Sequence, residues 1–126
     1  MWHECLSENT DTFITMLYKD VPPLRNLRIE EIKFSREGNR ISVGFDFPVF
    51  ADNPPKKWIE RGYTIVFVEL DFFDIREVVL RSSNNAFRGN IDIDKDDSGI
   101  LNINISGTVE VQIKAGVGLI QSVRGY

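Results

Sequence analysis

The residues whose types and spacing come nearest to a chemical motif are Asp92-Ile93-Asp94-Lys95-Asp96-Asp97-Ser98-Gly99. Counted from Asp94, Asp96 and Ser98 occupy the third and fifth positions of a calcium loop and Gly99 the sixth. The twelfth position is Ile105, however, where a bidentate glutamate is needed. The flanking alternation also reads as strands, where a calcium loop of this kind sits between helices. A solvated hairpin turn is the reading, and a cationic partner surface fits its carboxylates as well as a metal does. His3 and Cys5 supply a base and a nucleophile, but they lie in an N-terminal pentapeptide expected to fray, with no third group placed to orient the imidazole. His3 is the only histidine, which excludes a multi-histidine metal site within one chain. Glu69, Asp71, Asp74 and Glu77 are carboxylates that acid-base chemistry can pair; alternation across a strand and turn places them on a solvated face instead. Lys56-Lys57-Trp58 is basic and aromatic, yet two lysines among 19 acidic residues make a poor nucleic-acid footprint. Trp58 reads as a lid over one end of the core, or as an interface anchor where exposed. No glycine-rich loop follows a strand and opens a helix, so a phosphate cradle lacks its frame. The expectation is a protein that is not an enzyme: no catalytic residues, no cofactor and no metal.

The elements that must carry these residues are organised around Gly62 to Ser82. From Tyr63 to Val68 both alternating sets of side chains are apolar, which requires cover on both faces and a place in the middle of a sheet. At Glu69 and Asp71 one face turns polar and emerges toward solvent. The chain is then expected to turn near Phe72-Phe73-Asp74 and return through Ile75 to Leu80 as a second strand. Upstream, Leu6, Phe13, Ile14 and Leu17 share a helical face, predicting one amphipathic helix from Thr10 to Lys19 that stops at Asp20-Val21-Pro22-Pro23. Alternation from Leu27 to Val49 predicts a hairpin, with a bulge at Glu30-Glu31 where the apolar set switches from odd to even positions. Ala51 to Trp58, with Pro54-Pro55, breaks the sheet. Ser82 to Gly89, carrying Asn84-Asn85, is expected to be a loop. Short strands follow around Ile91, Leu101 and Val109, with turns at Gly99 and Gly107, and Leu119 to Tyr126 adds a last edge strand. The fold class is α+β, mainly β, as a single domain over residues 1–126. One N-terminal helix packs on a mostly antiparallel sheet of about seven to eight strands, curled into a barrel or stacked as a sandwich.

The totals narrow the partners. A formal charge of −4 disfavours nucleic acid and anionic membrane and permits a basic protein partner. No apolar run reaches the length of a membrane span and the N-terminus lacks a signal-peptide pattern, so a cytoplasmic location is expected. One cysteine allows no internal disulfide.

The order of pieces carries a resemblance. A helix is followed by Val21-Pro22-Pro23-Leu24-Arg25-Asn26-Leu27-Arg28-Ile29-Glu30-Glu31-Ile32 and the charged turn Arg36-Glu37-Gly38. A Phe-rich strand, Pro55-Lys56-Lys57-Trp58 and an apolar pair ending at Val78-Val79-Leu80 complete it. This arrangement resembles immunity protein family 50 of bacterial polymorphic toxin systems. The family's usual His-Asp pair stands here as Arg25-Asn26, so no role for that pair carries over. The resemblance implies a cytoplasmic protein that binds and neutralises a cognate toxin domain by direct contact. A surface for that purpose would combine Trp58 as anchor with Asp52, Glu60, Asp94, Asp96 and Asp97 as carboxylates facing a basic toxin. The alternative is a small-ligand-binding β-barrel or sandwich module without catalysis, with its pocket between sheet and helix. Oligomeric state stays open.

Overall fold

The computed structural model of the chain describes residues 1–83 and 87–126; the Asn84-Asn85 part of the expected loop lies outside them. Period-two alternation builds β1 (Leu27–Ser35), β2 (Arg40–Asp46), β3 (Val66–Ser82), β4 (Arg88–Lys95), β5 (Leu101–Gly107) and β6 (Val109–Gly125). All pair antiparallel and close as a barrel in the order β1-β2-β3-β6-β5-β4. The closing seam is short, Leu27 against Gly89 and Arg28 against Arg88. Inward residues, among them Val43, Phe45, Val68, Leu70, Phe72, Ile103 and Ile113, are buried and fill the lumen with side chains.

The strand count is six among the described residues, which corrects the expected seven to eight in two places. Asp74 does take a turn-like φ of +54°, but β3 runs through it in register, opposite Gly116, and the bulge comes just after, at Arg76, where the register to β6 slips between Ile75 and Glu77. The opposing residue makes this possible: a Cβ at Gly116 would collide with the Asp74 carboxylate, so glycine leaves room for Asp74 to lie against the next strand. The tail from Leu119 is likewise the second half of β6, a 17-residue strand that follows β3 along its whole length. The β1–β2 hairpin is present, as is its bulge, where the register shifts between Ile29 and Glu31.

The N-terminal helix is also corrected. It shrinks to α1 (Thr12–Leu17), preceded by a 3-10 turn at Trp2–Cys5. Asn9 at φ +65° blocks an earlier start. Tyr18 ends the helix by turning extended, setting its ring edge-on to Phe47 and donating its hydroxyl to the Val49 carbonyl at 2.7 Å. After the sheet break, Pro55 leads into a one-turn α2 (Lys56–Glu60). The N-terminus does not fray: the Trp2 indole N–H donates to the Pro22 carbonyl at 3.1 Å, and Ser7 N–H donates to Gly118 of β6 at 2.8 Å. Burying a tryptophan is enough to hold so short a segment. Among the described residues no helix is long and apolar enough to cross a membrane.

Candidate functional site

Alternation sends the other set of side chains outward, and on the wall made by β1, β2, β3 and the end of β6 they form a groove. Strand register aligns Arg28, Asp46, Phe67 and Arg124 in one row. The next row holds Glu31, Gly44, Glu69 and Ser122, and the third Lys33, Ser42, Asp71 and Leu119. Gly44 makes the wall concave. A Cβ there would stand 2.7 Å from Phe67 Cζ, so the ring lies in the space a side chain would take. The Arg124 guanidinium carbon sits 4.7 Å from the ring centroid, leaving Phe67 only 6% exposed although it points away from the lumen. A cation over an aromatic face at a partly exposed site contributes about 0.5–1 kcal/mol.

The resulting depression, about 600 Å³, is lined by Arg28, Glu30, Glu31, Phe67, Arg124 and Tyr126. Two consecutive glutamates reach it because the β1 bulge sets two residues against one on β2 and re-aims the side chain. In the same row as Phe67, Asp46 is buried, and the Tyr126 hydroxyl donates to its carboxylate, 2.7 Å from each oxygen. Burial first, then the hydrogen bond to Asp46 and after it the Asp46 charge, push the Tyr126 phenol up to about 12. Further along the wall Asp71 is 1% exposed, which corrects its expected place on a solvated face. Arg40 Nη1 stands 3.9 Å from Asp71 Oδ2, while Asp71 Oδ1 and Arg40 Nε have no hydrogen-bond partner among the described residues. The site therefore offers exposed charges of both signs around an aromatic floor. Such a surface can recognise shape and charge; of its carboxylates, Glu31 and Glu69 share a row on either side of Gly44, while Asp46 and Asp71 lie in the rows before and after it.

The residues singled out from sequence are not brought together. Trp58, at 9% exposed, lies edge-on to Phe13 at 6.0 Å and tilted to Phe50 at 6.2 Å, covering Gly125 of β6. That is the lid position. Glu60 is exposed and 3.8 Å from Lys56. Asp52 accepts the Lys19 backbone N–H at 2.9 Å and lines a shallow shelf with Tyr18 and Asp20. Asp94, Asp96 and Asp97 are exposed at the β4–β5 turn. Asp96 Oδ1 accepts from the Ser98 N–H and hydroxyl and the Ile100 N–H, and these bonds, the Ser98 hydroxyl foremost, hold its carboxyl below the usual range. Leu101 after this turn pairs with Ala115, ten residues up β6 from the Gly125 that Trp58 covers, so the two groups of candidates are far apart on the wall.

Other expectations fare differently. A third group does orient His3, since Asp11 Oδ2 lies 2.8 Å from its Nδ1, but the Cys5 thiol points at the Ile93 carbonyl, 3.7 Å away. Asp74 pairs with Arg76 at 2.8 Å. Among the described residues no three His, Cys, Asp or Glu side chains are placed to hold a metal. Arg25 ion-pairs with Asp92 and the Asn26 N–H donates to Asn90 Oδ1 at 2.7 Å, so these positions fasten the segment before β1 to β4. Sequence reasoning passed over Arg28, Phe67, Arg124 and Tyr126. The signal available for them was a lone glycine inside an alternating strand, which marks a close approach.

A family model described as Immunity protein 50 matches residues 10–126. No curated protein and no solved structure matches the chain.

Proposed function

The chain belongs to the immunity protein 50 family, and from that premise we propose that it binds a cognate toxin domain of a bacterial polymorphic toxin system and blocks it by contact, with no chemistry of its own. The family match over residues 10–126 carries this reading, because it spans α1, all six strands and every residue of the groove. We assign the contact to the groove on the β1–β2–β3–β6 wall. Arg28, Glu30, Glu31 and Arg124 offer charges that a partner's side chains can match, and Phe67 gives a flat apolar floor that is already desolvated. The exposed carboxylates Asp52, Glu60, Asp94, Asp96 and Asp97 act at longer range, steering a basic toxin toward a protein of charge −4. Trp58 serves the surface from beneath by holding the end of β6.

The cytoplasm of the producing cell is the proposed place of action. The family match favours this reading over the small-ligand alternative, and the barrel lumen is filled by side chains. The test is co-expression with a candidate cognate toxin domain of a polymorphic secretion protein. Growth is restored by the wild-type chain and lost with Arg124→Glu, which reverses the charge over Phe67 and leaves the core untouched. A folded wild-type chain that neither restores growth nor binds that domain refutes the proposal.

A further inference from the structure

The long strand β3 outruns one of its neighbours. β2 accompanies it only to Phe73, opposite Arg40, whereas β6 follows it to Ser82. The last cover on the β2 side is the Asn39 side chain, 3.4 Å from the Ile75 carbonyl. From Arg76 to Arg81, no strand among the described residues pairs with this edge. Its middle is apolar and bare on both faces, with Val78 38%, Val79 39% and Leu80 52% exposed, flanked by Glu77 and Arg81. A long exposed apolar edge is a template for strand pairing, and folded proteins normally shield it.

We propose that this edge pairs antiparallel with the same edge of a second copy of the chain, across a twofold axis at Val79. Facing residues in an antiparallel ladder must both turn their backbone N–H and C=O groups into the interface, or both turn them away. A strand pairing with its own copy must therefore place one residue opposite itself. An axis at Val78 sets Glu77 against Val79 and Arg76 against Leu80. An axis at Leu80 sets Val79 against Arg81. With Val79 on the axis, Glu77 faces Arg81 of the other copy twice per dimer, on the face that Val79 shares, while Val78 meets Leu80 on the opposite face. That register alone matches charge with charge and apolar with apolar, and Arg76 is already occupied by Asp74 at 2.8 Å. The pairing is isologous and closes after two copies, so it forms a dimer and not a fibre.

The experiment is sedimentation of the full chain over a dilution series. The wild type is a dimer that dissociates on dilution. Glu77→Arg and Arg81→Glu each put like charges at both crossings and weaken the dimer by about 30-fold. Mixed in equal amounts, the two variants form a heterodimer, because each like-charged edge then meets its opposite, and the double exchange Glu77→Arg/Arg81→Glu restores the homodimer. Both substituted positions, Glu77 and Arg81, are exposed, and circular dichroism verifies that each variant is folded. A wild type that is monomeric throughout, or a dimer indifferent to Glu77→Arg, overturns the proposal. So does a monomeric wild type whose complex with a toxin domain is lost on Val79→Lys, since the edge then receives a strand of the partner.

Discussion

Adding one methyl group at Gly44 tests whether the groove is built as described. The Cβ of Gly44→Ala would lie 2.7 Å from Phe67 Cζ, 3.2 Å from Cε2 and 3.5 Å from Glu31 Cγ. Carbon atoms rest about 3.5–4.0 Å apart, so the ring must retreat by roughly an ångström. Its backbone is fixed between β2 and β6 and its exposed side is covered by Arg124 at 4.7 Å. The ring can move only outward, lifting the guanidinium and filling the depression. Overpacking of this kind costs about 1–3 kcal/mol, and loss of the cation–π contact adds about 0.5–1. Against this, replacing a strand glycine by alanine returns roughly 0.5–1 kcal/mol through the unfolded chain. The last two offset each other, so the net expectation is a loss of about 1–3 kcal/mol, read as a lower urea midpoint at unchanged slope. In a Phe67→Ala background there is no ring to strike, and the same substitution becomes neutral or stabilising. A neutral Gly44→Ala in the wild type, or an equal cost in both backgrounds, would refute this account of the floor.

Trp58→Ala costs about 3–5 kcal/mol in urea unfolding, the range for emptying a buried tryptophan; a loss under about 1 kcal/mol together with weakened toxin binding would make Trp58 a contact instead of a lid. Tyr126, its phenol pushed up to about 12, keeps its proton in the folded chain where the unfolded chain releases it near the ordinary value of about 10. Stability is therefore full below about pH 10 and falls as pH rises through the folded value. Burial raises Tyr18 as well, so Tyr126→Phe shallows the alkaline fall without abolishing it, and superimposable pH profiles would contradict the Tyr126–Asp46 link. Changing Asp94, Asp96 and Asp97 together to Asn preserves the fold, since an amide oxygen still accepts from Ser98 and Ile100. It slows association with a basic toxin domain and flattens its salt dependence, whereas unchanged stopped-flow kinetics would take this turn out of the steering surface.

What could be read from the chain was whatever repeats locally. The β1–β2 hairpin and its bulge were legible because the slip from Ile29 to Ile32 breaks a strict period of two, and the bulge proved to be what brings Glu30 and Glu31 to the groove. Phe72-Phe73-Asp74 misled because Asp74 has turn chemistry and takes a turn-like φ; the fact that keeps β3 going, a glycine at position 116, lies on another strand. The N-terminal helix was overextended because apolar spacing carries no notice that Tyr18 is needed against Phe47. A lone Trp2 gives no periodic signal at all, though it ties down the first residues. The groove was invisible for the same reason as the bulge partner: Arg28, Asp46, Phe67 and Arg124 form a row only through pairing across four strands. Asp52, Glu60 and the Asp94–Asp97 turn were chosen by loop position and charge, and those properties say where an acid is solvated, not which acids share a face.

Titration calorimetry of the purified chain into a candidate cognate toxin domain, with toxin activity followed in the same samples, tests the proposed inhibition by contact. The expected result is a stoichiometric complex that silences the toxin and leaves both polypeptides chemically unaltered, with affinity reduced by Arg124→Glu. Silencing at substoichiometric amounts, or a covalent change in the toxin, would mean that the chain acts by turnover and would contradict it.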